Sequence, residues 1–260
     1  MLELQHIHKM YNPGTINEIC LFEDFNLKIE DGQFVSVVGS NGSGKTSMLN
    51  IICGSIPVDA GKILVNGVDI SRQKDYIRHR RIGRVFQDPS KGTCPSMTIL
   101  ENLAIADNKG KAYGLGRGTN HARMDAYREL LASVGLGLED KMHTKVGALS
   151  GGQRQRLSIA RALVRKPEIL ILDDSSSALD YATDLKLRQA IKALPGDMTV
   201  FIVSQRASSL MHAEQILVLD DGDVVGLGTH EELLKSCETY REIYNTQIEK
   251  KTEQQDGREA

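Results

Sequence analysis

The stretch GSNGSGKTS, Gly39 to Ser47, constrains this chain more than any other. It satisfies the spacing G-x-x-x-x-G-K-[ST] and lies between a β-type run, FVSVV, and a helix-type run, SMLNIICG, the context that gives the match its meaning. Gly39, Gly42 and Gly44 let the backbone aim successive N–H groups at one point, and the following helix adds the positive end of its dipole. With Ser40, Asn41, Ser43 and Ser47 around it, such a loop cradles nucleotide phosphates. Lys45 is placed to reach the β- and γ-phosphates, and Thr46 to offer its hydroxyl to Mg²⁺.

Phosphate chemistry at such a loop also calls for a carboxylate. The run EILIL, Glu168 to Leu172, supplies a buried strand that ends in Asp173 and Asp174. Asp173 would hold Mg²⁺ through water, and Asp174 would polarise a water attacking the γ-phosphate. Without the glycine-rich loop the same pair reads equally well as a helix cap.

Further β-type runs, FVSVVG (Phe34 to Gly39), IGRVFQ (Ile82 to Gln87) and MTVFIVS (Met198 to Ser204), alternate with helix-type segments. That alternation predicts a parallel sheet with crossover helices. One helix is expected from Ser150 through Leu157, Ile159, Ala160, Leu163 and Val164, stopped by Pro167, and another over about Met124 to Val134. The N-terminal LELQHIHKMYN and LFEDFNLKIEDGQ read as an antiparallel flank, and EKKTEQQDGREA, Glu249 to Ala260, as a frayed polar tail.

Composition narrows the partners. The formal net charge is -2 over 260 residues, which gives no bulk attraction to nucleic acid or anionic lipid. The basic run RQKDYIRHRRIGR, Arg72 to Arg84, lacks interleaved aromatics and reads as a solvated approach to the Gln87 strand, so no nucleic-acid partner is expected. Four scattered cysteines, with no CxxC pair, argue for a reducing compartment rather than a disulfide framework or zinc site. No signal region or membrane-length apolar run is visible, so a cytoplasmic chain is expected, with any membrane contact made through a partner.

The stretch LSGGQRQRLSIARAL, Leu149 to Leu163, resembles the signature of the ATP-binding-cassette (ABC) ATPases. The resemblance covers residues 2 to 247 and implies a P-loop NTPase (RecA-like) α/β core with an antiparallel β flank and an inserted helical lobe. The core would occupy 1–87 and 165–248, and the lobe about 88–164. It implies that Ser150, Gly151, Gly152 and Gln153 face the γ-phosphate of ATP held by a second subunit, in a homodimer or heterodimer. A serine hydroxyl and two glycines at a helix N-terminus suit an anion arriving from outside. By the same resemblance Tyr11 stacks on adenine, Gln87 touches Mg²⁺ and the attacking water and senses the transport partner, and Asp180 meets the opposite subunit. The implied partner is a membrane-spanning permease, which would hold the chain at the cytoplasmic face of the membrane. Soluble ABC ATPases of DNA repair or translation, and a non-hydrolytic nucleotide-gated scaffold, are the rival readings.

Two positions depart from the family pattern. Most active members carry Glu where this chain has Asp174, and His where it has Gln205. Asp is shorter by one methylene, about 1.5 Å, and a misplacement of about 1 Å can cost ~10²-fold in rate. Gln205 can donate a hydrogen bond to phosphate but cannot carry the charge available to His. ATP binding with slow hydrolysis is therefore expected. The pair resembles the degenerate half of asymmetric exporters, as does the segment from about 150 to 245, while the N-terminal half looks like stand-alone uptake-type subunits. A mosaic chain fits that pattern.

Overall fold

A computed structural model of the chain describes residues 1–109, 118–119, 121–133, 135, 137–173, 181–194, 196–203, 210 and 213–246. The fold divides into two compact units, one formed by Met1–Asp75 with Thr199–Ala260 and the other by Tyr76–Met198.

The first unit opens on β1 (Leu2–Tyr11), paired antiparallel with β2 (Ile19–Ile29). Leu2 and Leu4 point inward, as alternation requires, but the buried residues that follow are Ile7 and Lys9. The change of phase comes at a bulge where His6 takes a φ of 51°. One extra residue flips every later side chain to the opposite face, so Ile7, Lys9 and Tyr11 share a side. β3 (Phe34–Gly39) leads through the glycine-rich loop into α1 (Lys45–Cys53). β4 (Ala60–Val65) and β5 (Val68–Asp69) complete a sheet of order β2-β1-β4-β5.

The short α2 (Asp75–Arg78) carries the chain into the second unit. There β6 (Ile82–Val85) runs parallel to β7 (Ile169–Asp173), with Ile82 opposite Ile169 and Val85 opposite Leu172. Between them in sequence come α3 (Ile99–Asn108), α4 (Met124–Ser133) and α5 (Gly151–Leu163), and α6 (Tyr181–Lys192) follows β7. Thr98 and Glu101 close a reciprocal capping box at the start of α3. The buried Asp107 accepts from the Tyr127 hydroxyl at 2.8 Å and pairs with Arg123 at 2.9 Å, which ties α3 to α4.

The chain returns to the first unit with β8 (Thr199–Val203), β9 (Gln215–Asp220) and β10 (Asp223–Gly228), then α7 (His230–Ser236) and a last helix over 238–246. β3 lies between β8 and β9 and is parallel to both, while β10 is antiparallel to β9. Val35, Val37 and Val38 are buried, as a strand flanked on both sides in a covered sheet must be. Val38, Ile216 and Val218 pack with Leu233 and Tyr240 of the C-terminal helices and with Cys237 between those helices.

Candidate functional site

The glycine-rich loop is fixed by backbone geometry that only its glycines allow. Gly39 has a φ of 155°, and a Cβ there would collide with the Leu219 carbonyl oxygen. Gly44 caps α1 at a φ of 97°, and a Cβ would sit 3.1 Å from the Phe22 ring. Among the described residues no side chain caps α1, and its first turn holds no acidic residue. The helix thus presents first-turn N–H groups that no described side chain caps, next to a cation, which is the arrangement an anion requires.

Lys45 is buried at the first position of that helix. Its ammonium donates to the Gly39 carbonyl at 2.8 Å, the Ser40 carbonyl at 2.6 Å and the Ser43 hydroxyl at 3.3 Å, so all three protons are used within the loop. Burial lowers its pKa. The Ser40 hydroxyl donates to Asp220 at 3.2 Å, which anchors the loop to the end of β9. Asn41, Gly42 and Thr46 are exposed. Tyr11, at the end of β1, donates to Ser47 of α1 over a long 3.4 Å. The first unit thus brings together Tyr11 and the whole run from Gly39 to Ser47.

The second unit holds Gln87, Ser150 to Gln153 and Asp173. Asp173 ends β7, and its carboxylate accepts from Arg84 of β6 at 2.8 Å. The two side chains are 16% and 6% exposed, so this is a largely buried ion pair. The Arg84 guanidinium also lies over the Phe86 ring, 4.8 Å from its centre. Gln87 is exposed just beyond β6. The buried Gln155 of α5 reaches the Phe86 carbonyl over 3.5 Å, which places the signature helix beside the residue before Gln87.

Ser150 caps α5 as expected, and Gln153 completes the box: the Ser150 hydroxyl accepts from the Gln153 N–H at 3.3 Å, and the Gln153 side chain accepts from the Ser150 N–H at 3.0 Å. The Ser150 O–H keeps its own proton to donate, and Ser150 is exposed. A Cβ on Gly151 would meet nothing within 4 Å, so this chain's own packing does not demand glycine there. Asp174, Asp180 and Gln205 lie outside the described residues.

Three residues that matter here carried little sequence signal. Arg84 and Arg78 belong to the basic run expected to be solvated, yet Arg78 is 2% exposed and Arg84 is paired to Asp173. For Arg84 the reason is strand register: β6 lies beside β7, and Arg84 opposite Ile171 can reach the carboxylate two residues on. A single arginine inside the β-type run IGRV was the only available hint. Lys9, buried below Tyr11, is the third. Among the described residues no three His, Cys, Asp or Glu side chains cluster to hold a metal, and no helix is long and apolar enough to cross a membrane.

Residues 22–177 match the family described as ABC transporter. A tyrosine transport ATP-binding protein of Clostridioides difficile is 39% identical over 230 residues, covering 86% of this chain and 90% of that protein. An uncharacterised ABC transporter ATP-binding protein of Mycobacterium tuberculosis is 36% identical over 231 residues, but the chain spans only 38% of its length. Among solved structures, a dimeric ATP-binding cassette in a post-hydrolysis state with ADP and Pi superposes with a TM-score of 0.75 at 33% identity, over 88% of this chain and 98% of that one. A bacterial Atm1-family ABC exporter with ATP bound gives 0.77 at 26% identity, over 95% of this chain and 41% of that one. With the glycine-rich loop, the carboxylate strand and the capped signature helix in place, the chain belongs to the ABC transporter family as an ATP-binding cassette with the P-loop NTPase fold.

Proposed function

We propose that this cassette binds MgATP, closes as a dimer on two nucleotides, hydrolyses them slowly and so drives a membrane-spanning permease. The observation that carries the reading is the start of α1, where no described side chain caps the helix, with Lys45 folded onto the loop carbonyls. Phosphate oxygens would take the place of those carbonyls and engage the free N–H groups of the first turn, while Ser40, Asn41, Gly42 and Ser43 line the loop. Thr46, Gln87 and Asp173 are assigned to the metal, Asp173 through water. With one carboxylate among them, the phosphate oxygens must supply much of the coordination, so Mg²⁺ would arrive with the nucleotide. Bound there, magnesium would offset charge on the β- and γ-phosphates.

Ser150, Gly151, Gly152 and Gln153 are assigned to the γ-phosphate of the opposing subunit. An exposed hydroxyl with a free proton and a glycine with open space above it suit close approach from outside. Asp174 is assigned as the short general base and Gln205 as the uncharged switch, which together slow the chemical step. Residues 1–87 and 165–248 are assigned to the core and about 88–164 to the lobe.

Permease contact is assigned to a cavity of about 400 Å³ in the second unit. Lys91, Arg161 and Arg165 line it together with Phe86 and Ile105, and no carboxylate of the described residues does. A partly apolar, acidic cytoplasmic segment of the permease complements those walls.

The reading is tested by sedimentation with and without MgATP. The wild-type chain and a form with Asp174→Asn, which blocks turnover, should dimerise with MgATP, and Lys45→Ala should stay monomeric. Nucleotide-independent behaviour of all three would remove the proposal.

A further inference from the structure

We infer that Lys9 and Asp59 are positioning residues that set the Tyr11 ring as the surface for the nucleotide base. The inference rests on the nucleotide-binding reading of Tyr11 and goes beyond it, since neither residue touches the loop.

Tyr11 pairs with Ile19 of β2, but the ladder leading up to it is irregular. The pairing of β1 with β2 shifts between Ile7 and Lys9 and again between Lys9 and Met10, and its pairing with β4 is broken between Gln5 and His8. Asp59, the residue before β4, takes over at this irregular end. Its backbone N–H donates to the His8 carbonyl at 3.0 Å, and one carboxylate oxygen accepts from the Met10 N–H at 2.7 Å. The other oxygen accepts from the Lys9 ammonium at 3.0 Å. Three successive residues of β1 are thus tied to one aspartate directly ahead of Tyr11.

Alternation along β1 puts Lys9 and Tyr11, two residues apart, on one face, and the bulge at His6 turns that face inward. The Lys9 ammonium stands 5.6 Å from the centre of the Tyr11 ring, within the reach of a cation–π contact. The Lys9 side chain is only 9% exposed, and Asp59 holds its ammonium in place. A lysine so fixed cannot swing out to a phosphate. It supports the ring and leaves stacking on the base to Tyr11. Ser47 steadies the hydroxyl end over 3.4 Å and links the platform to α1.

A test must separate base recognition from phosphate recognition, and tripolyphosphate does so because it has no base. Calorimetric titrations with MgATP and with magnesium tripolyphosphate would compare the wild type with Lys9→Met, Lys9→Arg, Asp59→Asn and Tyr11→Ala, each checked for folding by thermal melting. Lys9→Met keeps the buried stem, and Asp59→Asn keeps an acceptor for Met10, so at least one should fold. We expect Lys9→Met to weaken MgATP binding about two- to fivefold, the lower range for a cation–ring contact, because Asp59 shares the ammonium. Tyr11→Ala should weaken it at least as much, Lys9→Arg should restore it, and tripolyphosphate affinity should stay constant throughout. If Lys9→Met and Asp59→Asn keep full ATP affinity while Tyr11→Ala loses it, the positioning role is wrong. An equal loss for ATP and tripolyphosphate in Lys9→Met would overturn it too. If Tyr11→Ala itself keeps ATP affinity, the base platform fails and the inference falls with it.

Discussion

The pair between Arg84 and Asp173 offers a quantitative test of how the carboxylate strand is held. Two unit charges about 4 Å apart attract by ~4 kcal/mol at an effective dielectric of about 20. Desolvating both opposes that gain, so the intact pair contributes little net stability. Removing one partner is different, because the other charge stays largely buried without its counterion. With Asp173 16% and Arg84 6% exposed, we place each single substitution, Arg84→Met or Asp173→Leu, at the low end for buried pairs, about 3 kcal/mol destabilising. Arg84→Met should cost slightly more, because it also loses the Phe86 ring contact, worth about 0.5 to 1 kcal/mol. The double substitution removes both charges and leaves two apolar side chains on neighbouring strands, so it should lie within about 1 kcal/mol of wild type. Urea unfolding at pH 7 in metal-free buffer measures all four corners of the cycle. Single effects that simply add in the double variant would refute the reasoning.

Other consequences can be checked more briefly. Burial lowers the Lys45 pKa in the nucleotide-free chain, and phosphate binding favours its charged form; proton uptake on binding should therefore make MgATP affinity fall with rising pH, starting below the ordinary lysine value of 10.5, in pH-dependent calorimetry. Ser150→Ala breaks the capping box and should cost about 1 kcal/mol in chemical unfolding, with Ser150→Thr close to wild type. In a mixed dimer, Ser150→Arg should impair ATP cleavage at the partner's loop more than at its own, as read by single-site turnover. Tyr127→Phe takes a hydroxyl donor from the buried Asp107 and should cost about 1 to 3 kcal/mol by the same unfolding assay.

Much of the fold was legible because its signals are local. Phe34–Gly39 forms the expected strand, Gly151–Leu163 begins after the expected cap, and Met124–Ser133 falls within the expected helix. The strand over IGRVFQ ends at Val85, two residues early, where the pairing with β7 stops at Leu172. The parallel pairing of β6 with β7 and of β3 with β8 agrees with the alternation of strand and helix. What stayed hidden depends on contacts remote in sequence. No local pattern says that Lys9 meets Asp59, 50 residues away, or that Arg84 meets Asp173, 89 residues away. The phase change at His6 was equally hidden, since a bulge occupies one residue and the strand pattern on either side looks regular. Basic residues in a run read as solvated by default, and only register shows which of them a neighbouring strand buries.

This cassette is proposed to bind ATP well and cleave it slowly, because Asp174 and Gln205 stand where the family resemblance leads one to expect Glu and His. Single-turnover ATP cleavage addresses that proposal directly, comparing the wild type with the Asp174→Glu/Gln205→His double variant at saturating MgATP and at protein concentrations that enforce dimerisation. A positioned general base contributes about 10² to 10⁴ in rate, so the restored variant should be faster by a large part of that factor with ATP affinity little changed. Equal rates for the two proteins, or a wild-type rate typical of an active ATPase, would contradict the account.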